Sequence, residues 1–215
     1  MASNSTMKTI TTFLFLLFFI SACDTERVAQ DSTKNNDSLA VELDNSAIDR
    51  HNNYLLGKSK SADSLKVSLA ELDKAIELDS TNTRFYSNKA NILLTLNRDE
   101  EAIDVLKQAL SVNPNFAEMI TTIGFIYERK GEKEVAQKWY QKALDVYDKR
   151  IEEEQFVINS KVNKAFLLFF TENKESAKQA FNELKQQYPK NEEVKYSEQL
   201  FTDFNKQEFL NEFHQ

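Results

Sequence analysis

Residues 117–150 read AEMITTIGFIYERKGEKEVAQKWYQKALDVYDKR. Ala143 in this stretch follows Ala109 by 34 residues, and Ala109 follows Ala75 by the same 34. Ala102 and Ala136 keep that interval. A fixed period of this length in a helix-forming chain predicts stacked helical hairpins. Within the stretch, Gly124 and Ala136 are small enough to let two helices approach. Tyr127 and Tyr140 fill the space beside them, and Gly131 serves the turn. Arrays of this kind present binding surfaces more readily than catalytic centres.

The whole composition agrees. Only three Gly and two Pro interrupt 215 residues rich in Leu, Ala, Glu and Lys, so the chain reads as all-α, with no alternation long enough to predict a sheet. The formal net charge is −7. An acidic surface repels phosphate backbones, and no basic stripe with interleaved aromatics occurs, so nucleic acid is not expected as a partner.

The residues at the small and large packing positions resemble the tetratricopeptide repeat. The third unit, 117–150, is the clearest. The second, 83–116, matches with Tyr86, Ala90, Leu93, Ala102, Leu106, Ala109 and Pro114, with Asn97 at its turn. The fourth, 158–191, matches with Ala165, Leu168, Ala177, Phe181 and Pro189 and lacks the turn glycine. The first, 49–82, is degenerate: Leu65, Leu69, Leu72, Ala75 and Ile76 keep its second helix in register, while the first helix, near Ile48 to Leu56, has no small packing residue. The resemblance implies a superhelical solenoid of about four hairpins over 46–191, closed by capping helices in 192–215. Val194, Leu200, Phe201 and Phe204 supply the cap's apolar side, and a short helix over 206–213 is expected to bring Phe209, Leu210 and Phe213 against the same end.

Pro114 to Pro189 is 75 residues, seven more than two periods of 34. The extra seven lie between units three and four, where the second helix of unit three is expected to run on through DKRIEEE (148–154) as a projecting charged ridge. Its acidic run, Glu152 to Glu154, is read as a solvated face and not as a metal site.

In this family the first helix of each hairpin lines the concave face. Residue by residue, the resemblance places Arg84, Ser87, Asn88, Asn91 and Leu94 there, then Glu118, Thr121, Thr122, Phe125, Glu128 and Arg129. Unit four contributes Asn159, Val162, Asn163, Phe166, Phe169 and Phe170. The carboxylate-gripping set of chaperone-binding members is not reproduced: the five positions hold Asn53, Gly57, Asn88, Glu118 and Thr122, without a cation. The expected groove is therefore Asn88, Asn91, Phe125, Arg129, Phe166 and Phe169, with an apolar patch for an extended or helical segment. The competing reading buries these phenylalanines beneath the C-terminal cap or in the hairpin core. Phe-Leu-Leu-Phe-Phe at 166–170 cannot all face one way.

The N-terminus reads as an address. Counted from Ile10, the apolar run to Ile20 reaches roughly 16 Å as a helix, short of a hydrocarbon core of about 30 Å. It suits a signal peptide, with Met7 as an alternative start. It ends in Ile20-Ser21-Ala22-Cys23, which resembles the lipobox of bacterial lipoproteins. That implies cleavage after Ala22 and acylation of Cys23, the chain's one cysteine; an ordinary signal peptide ending near a cysteine is the rival. From Cys23 the charge would be −8, since only Lys8 precedes it. Residues 23–45 read as the lipidated cysteine and a flexible tether.

No catalytic residue, cofactor, metal ligand or small-molecule substrate is nominated: the two histidines, His51 and His214, lie far apart, and G-x-S-x-G and H-E-x-x-H are missing. The expectation is a lipid-anchored adaptor in a bacterial cell envelope, at the outer membrane in preference to the inner, gripping a protein partner on its concave face. The alternative is a structural lipoprotein of an envelope assembly machine, of the outer-membrane insertion or pilus-secretin type. A cell-wall enzyme is the third class.

Overall fold

The computed structural model describes residues 31–59 and 61–213, with side chains from residue 36 onward. Among the described residues there are ten α-helices and no strand, in agreement with the all-α expectation. In chain order they are α1 (Asp31–Leu55), α2 (Ala62–Leu78), α3 (Thr83–Thr95), α4 (Asp99–Val112) and α5 (Ala117–Arg129). They continue as α6 (Lys133–Glu152), α7 (Val157–Thr171), α8 (Lys174–Gln187), α9 (Glu192–Asp203) and α10 (Lys206–Glu212).

Local chemistry sets the boundaries. Ser61, Asn82, Asn173, Asn191 and Asn205 each accept a hydrogen bond from a first-turn amide of the helix that follows, which satisfies a donor left free at a helix start. The turns repeat with the sequence period. Asn97 takes φ 57° and Gly131, one period later, φ 80°. Arg98 N donates to Leu93 O at 2.9 Å, and Glu132 N to Tyr127 O at 2.9 Å. Both turns are thus the left-handed helix ending in which Gly and Asn are preferred.

The described residues form two compact units, one ending at Pro114 and the other Asn115–Phe213. In the first, α1 pairs with α2 and α3 with α4, around Leu65, Leu72 and Ala75 of α2, Phe85 and Leu93 of α3, and Leu106 and Ala109 of α4. In the second, α5 pairs with α6 and α7 with α8, around Ile120, Ile123, Ala136, Tyr140, Ala143, Ala165 and Phe181. Gly124 is needed where α5 crosses α6: a Cβ there would lie 2.6 Å from Cδ1 of the fully buried Tyr140.

Three expectations are corrected. Residues 31–45, read as tether, belong to α1, whose first part buries Ala40 and Asp44 completely. Their polarity concealed this, because α1 meets α2 through alanines and seats a carboxylate that Arg84 neutralises. The first helix of unit one therefore starts well before 49. Residues 1–30, on which the expected signal peptide, the expected lipidation at Cys23 and the rest of the expected tether fall, lie outside the described residues.

The ridge is the second. α6 has 20 residues against 14 in α4 but stops at Glu152, where Glu154 turns left-handed at φ 57°. Tyr147 is fully buried, and Arg150 turns inward to pair with Glu118 at 2.8 Å. Asp148, Lys149 and the acidic end, Glu152 to Glu154, are exposed as expected, while Arg150 and Ile151 are half-buried.

The third concerns the tail. α9 packs on α7 and α8, its Phe201 ring stacked on Phe181 at 4.0 Å and 4°. α10 brings Phe209 to Phe166 and Phe170 of α7, as expected of the cap, but reaches further and also packs against α5.

Candidate interaction surface

The six expected groove residues fall into two groups. In the first unit, Asn88 is already engaged: its Nδ2 donates to Asp44 Oδ1 at 2.6 Å. Arg84 pairs with the other carboxylate oxygen at 2.7 Å. Burial raises the Asp44 carboxyl above the usual range, opposed by the Asn88 hydrogen bond and the Arg84 charge. Asn91 is half-buried, and its backbone carbonyl accepts from Thr95 Oγ1 at 3.0 Å. Thr95 Oγ1 also lies 2.8 Å from His51 Nε2. Burial lowers that imidazole to about 4, so it is neutral at pH 7. α1 thus covers this face of α3.

In the second unit, Phe125 of α5 and Phe166 and Phe169 of α7 do come together, with ring centroids 6.3 Å apart for Phe125 and Phe166 and 5.7 Å for Phe166 and Phe169. They do not form an open patch. Phe125 and Phe166 are 1% exposed and Phe169 is 7%. The C-terminal segment covers them. Phe204 sits 4.9 Å from Phe166 and 4.3 Å from Phe169. Phe209 meets Phe125 edge-on at 5.0 Å, and Phe213 does so at 5.5 Å. Arg129 lies over the Phe213 ring, 5.7 Å from its centroid. Phe170 is the floor shared by Phe125, Phe204 and Phe209. The expectation of an exposed apolar patch is corrected: burying so much aromatic surface is worth more than leaving it in water, and the tail is the part of the chain long enough to reach it.

Charge follows the same geometry. Glu128, with a side chain 4% exposed, pairs with Lys206 Nζ at 2.7 Å. That ammonium also lies 5.0 Å from the Phe170 ring centroid. Glu118, expected to line the groove, turns instead to Arg150, whose Nη2 also donates to the Asn115 carbonyl at 2.9 Å. Burial, with Glu118 beside it, pushes the neighbouring Tyr147 hydroxyl well above its ordinary range.

The competing reading of the sequence already sets Phe125, Phe166 and Phe169 beneath the C-terminal cap, with Phe204, Phe209, Leu210 and Phe213 as its apolar residues; it does not single out Lys206 as the partner of Glu128. A tail carrying four large apolar residues without a hairpin partner of its own was the available signal. Nothing in the local pattern of α1 marks Asp44 as buried.

Known proteins bear on the repeats. Models described as tetratricopeptide repeat match residues 83–116, 117–150 and 162–191. The chain is 28% identical over 94 residues to the photosystem I assembly protein Ycf3 of Synechococcus sp., covering 39% of this chain and 54% of the relative. It is 30% identical over 95 residues to the small glutamine-rich tetratricopeptide repeat-containing protein 2 of Mycosarcoma maydis, covering 44% and 25%. It thus spans about half the length of these curated relatives or less. Among solved structures, MamA overlaps 76% of the chain and 100% of its own at 17% identity and TM-score 0.40. PilF of Pseudomonas aeruginosa overlaps 78% and 99% at 18% identity and TM-score 0.38. The helical hairpins α3/α4, α5/α6 and α7/α8 are tetratricopeptide repeats.

Proposed function

We propose that this protein is a lipid-anchored protein–protein interaction module of a bacterial envelope, without catalytic activity. One observation carries the reading: repeats over 83–116, 117–150 and 162–191 form hairpins, a repeat architecture that serves partner binding. Support for assembly work comes from a relative named as an assembly protein, a name that belongs to that protein. The anchor rests on Ile20-Ser21-Ala22-Cys23. Two or more acyl chains hold a protein at a bilayer where one holds it only marginally. Among the described residues no helix is long and apolar enough to cross a membrane.

The test joins both parts. The full chain and a Cys23→Ala variant are expressed in a bacterium, membranes are separated, and crosslinked partners are identified by mass spectrometry. The expected result is a membrane-bound unaltered chain with a defined partner, and a variant lost from the membrane fraction. A variant that is cleaved yet stays on the membrane refutes the lipid anchor. A crosslinked set in fixed stoichiometry with envelope-assembly subunits supports the structural-subunit alternative.

A further inference from the structure

We propose that α10 is a tethered ligand: residues 204–213 hold the surface of α5 and α7 that an external partner uses. The partner that takes their place is a short amphipathic helix with Phe or Leu anchors and a basic residue in its first turn. This rests on the reading of the chain as an interaction module.

Three observations support it. The hairpins do not depend on α10 to end the array, because α9 already caps α8 through the Phe181–Phe201 stack. α10 is joined to α9 by only two non-helical residues, Phe204 and Asn205. Its seven residues are far too few to hold a helix alone in water, so its helix exists by virtue of the Asn205 cap and the surface it lies on. That is how a segment that folds on binding behaves.

The recognition chemistry can be read from the pair. Phe209 and Phe213, four residues apart and hence on one helical side, both bear edge-on on Phe125. Lys206, one turn earlier, reaches the buried Glu128. A buried carboxylate requires a cation, so an occupant lacking one would be disfavoured. The surface therefore selects a Lys or Arg followed by aromatic or aliphatic anchors about one and two turns later. An acidic or purely polar peptide does not fit.

Competition with the tail also regulates access. A surface closed in ninety-nine molecules of a hundred binds an external segment roughly 100-fold more weakly than an open one.

The test uses the full chain and a fluorescent synthetic peptide of residues 203–215. Phe209→Glu/Phe213→Glu places two carboxylates on an apolar surface beside Glu128, and this expels the tail. The expected result is a variant that keeps its helical circular dichroism and binds the peptide at least about tenfold more tightly than the unaltered chain. A peptide carrying Lys206→Glu should lose that binding. A folded variant that does not take up the peptide overturns the proposal.

Hydrogen exchange of the unaltered chain decides the matter if the variant fails to fold. Amides of 208–213 should exchange at least about tenfold faster than those of α5 and α7, and equal protection overturns the proposal. A dimer of the unaltered chain that the tail variant abolishes overturns it in favour of exchange between copies. No membrane or cellular partner enters these measurements, so their failure leaves the adaptor reading standing. Absence of any crosslinked partner would, conversely, leave the tail result intact.

Discussion

Gly124→Ala sets two effects of known size against each other. Alanine is favoured over glycine within a helix by about 0.8–1 kcal/mol, and Gly124 lies inside α5. On propensity alone the variant gains stability. The added Cβ, however, would lie 2.6 Å from Tyr140 Cδ1, 3.3 Å from Cζ and closer still to Cε1. Real Cβ contacts are essentially never under 3.0 Å, so the ring or the helix must move. Tyr140 has no room: it is 0% exposed and packs against Phe125 at 5.8 Å and Phe170 at 5.5 Å. Overpacking a filled core costs about 1–3 kcal/mol and occasionally more, and a contact this short belongs at the upper end. The net expectation is a loss of about 1–2 kcal/mol, with Tm lower by about 2–8 °C. Trp139, the sole tryptophan, neighbours Tyr140 on α6, so denaturant unfolding followed by its fluorescence reads this unit directly. Gly124→Ala/Tyr140→Leu should lose at least about 1 kcal/mol less than the two single variants added together, because the ring that obstructs the methyl is gone. An unchanged or raised midpoint in Gly124→Ala would refute the reasoning: α5 and α6 would not then be held together by the missing side chain.

Three further outcomes are expected. Phe166→Ala should cost about 3–5 kcal/mol in denaturant unfolding, since the ring is 1% exposed; a loss under about 1 kcal/mol would show that it faces solvent. Arg150→Met should cost about 3–5 kcal/mol by stranding the buried Glu118, and Glu118→Gln/Arg150→Met should recover most of that; a double variant as weak as the single would place the fault elsewhere. His51 gives a pH dependence. The unfolded chain protonates below about pH 6.5, while the folded imidazole does so only near 4. The unfolded state therefore binds more protons in this window, and stability falls as pH falls from 6.5 to 4, by about 3 kcal/mol in all. His51→Gln should flatten that part of a stability-against-pH profile, and an unchanged slope would rule His51 out.

The repeats were legible because they are local and periodic. A 34-residue interval of small residues specifies where helices touch, and Asn97 and Gly131 mark turns whose left-handed backbone few residues adopt. The matches at 83–116 and 117–150 have the same limits as the units read from spacing. The candidate site was only half legible. The resemblance placed Phe125, Phe166 and Phe169 on the faces of first helices, and they do meet there, but whether they meet solvent depends on the distant C-terminal segment 204–213. α1 hid for a related reason: Ala40, Ala47 and Asp44 are buried by what lies opposite them, and neither alanine nor aspartate announces burial.

Sequence by itself determined the helical class, the hairpin period and the insertion before unit four. Each is written in residues near one another along the chain, where propensity and spacing act directly. Tertiary structure alone decided that α1 starts at Asp31, that Arg150 turns inward to Glu118, and that α10 covers the aromatic surface. Those outcomes depend on which buried surface or charge finds a partner across long stretches of chain. A phenylalanine reads the same in a sequence whether its groove is open or already filled.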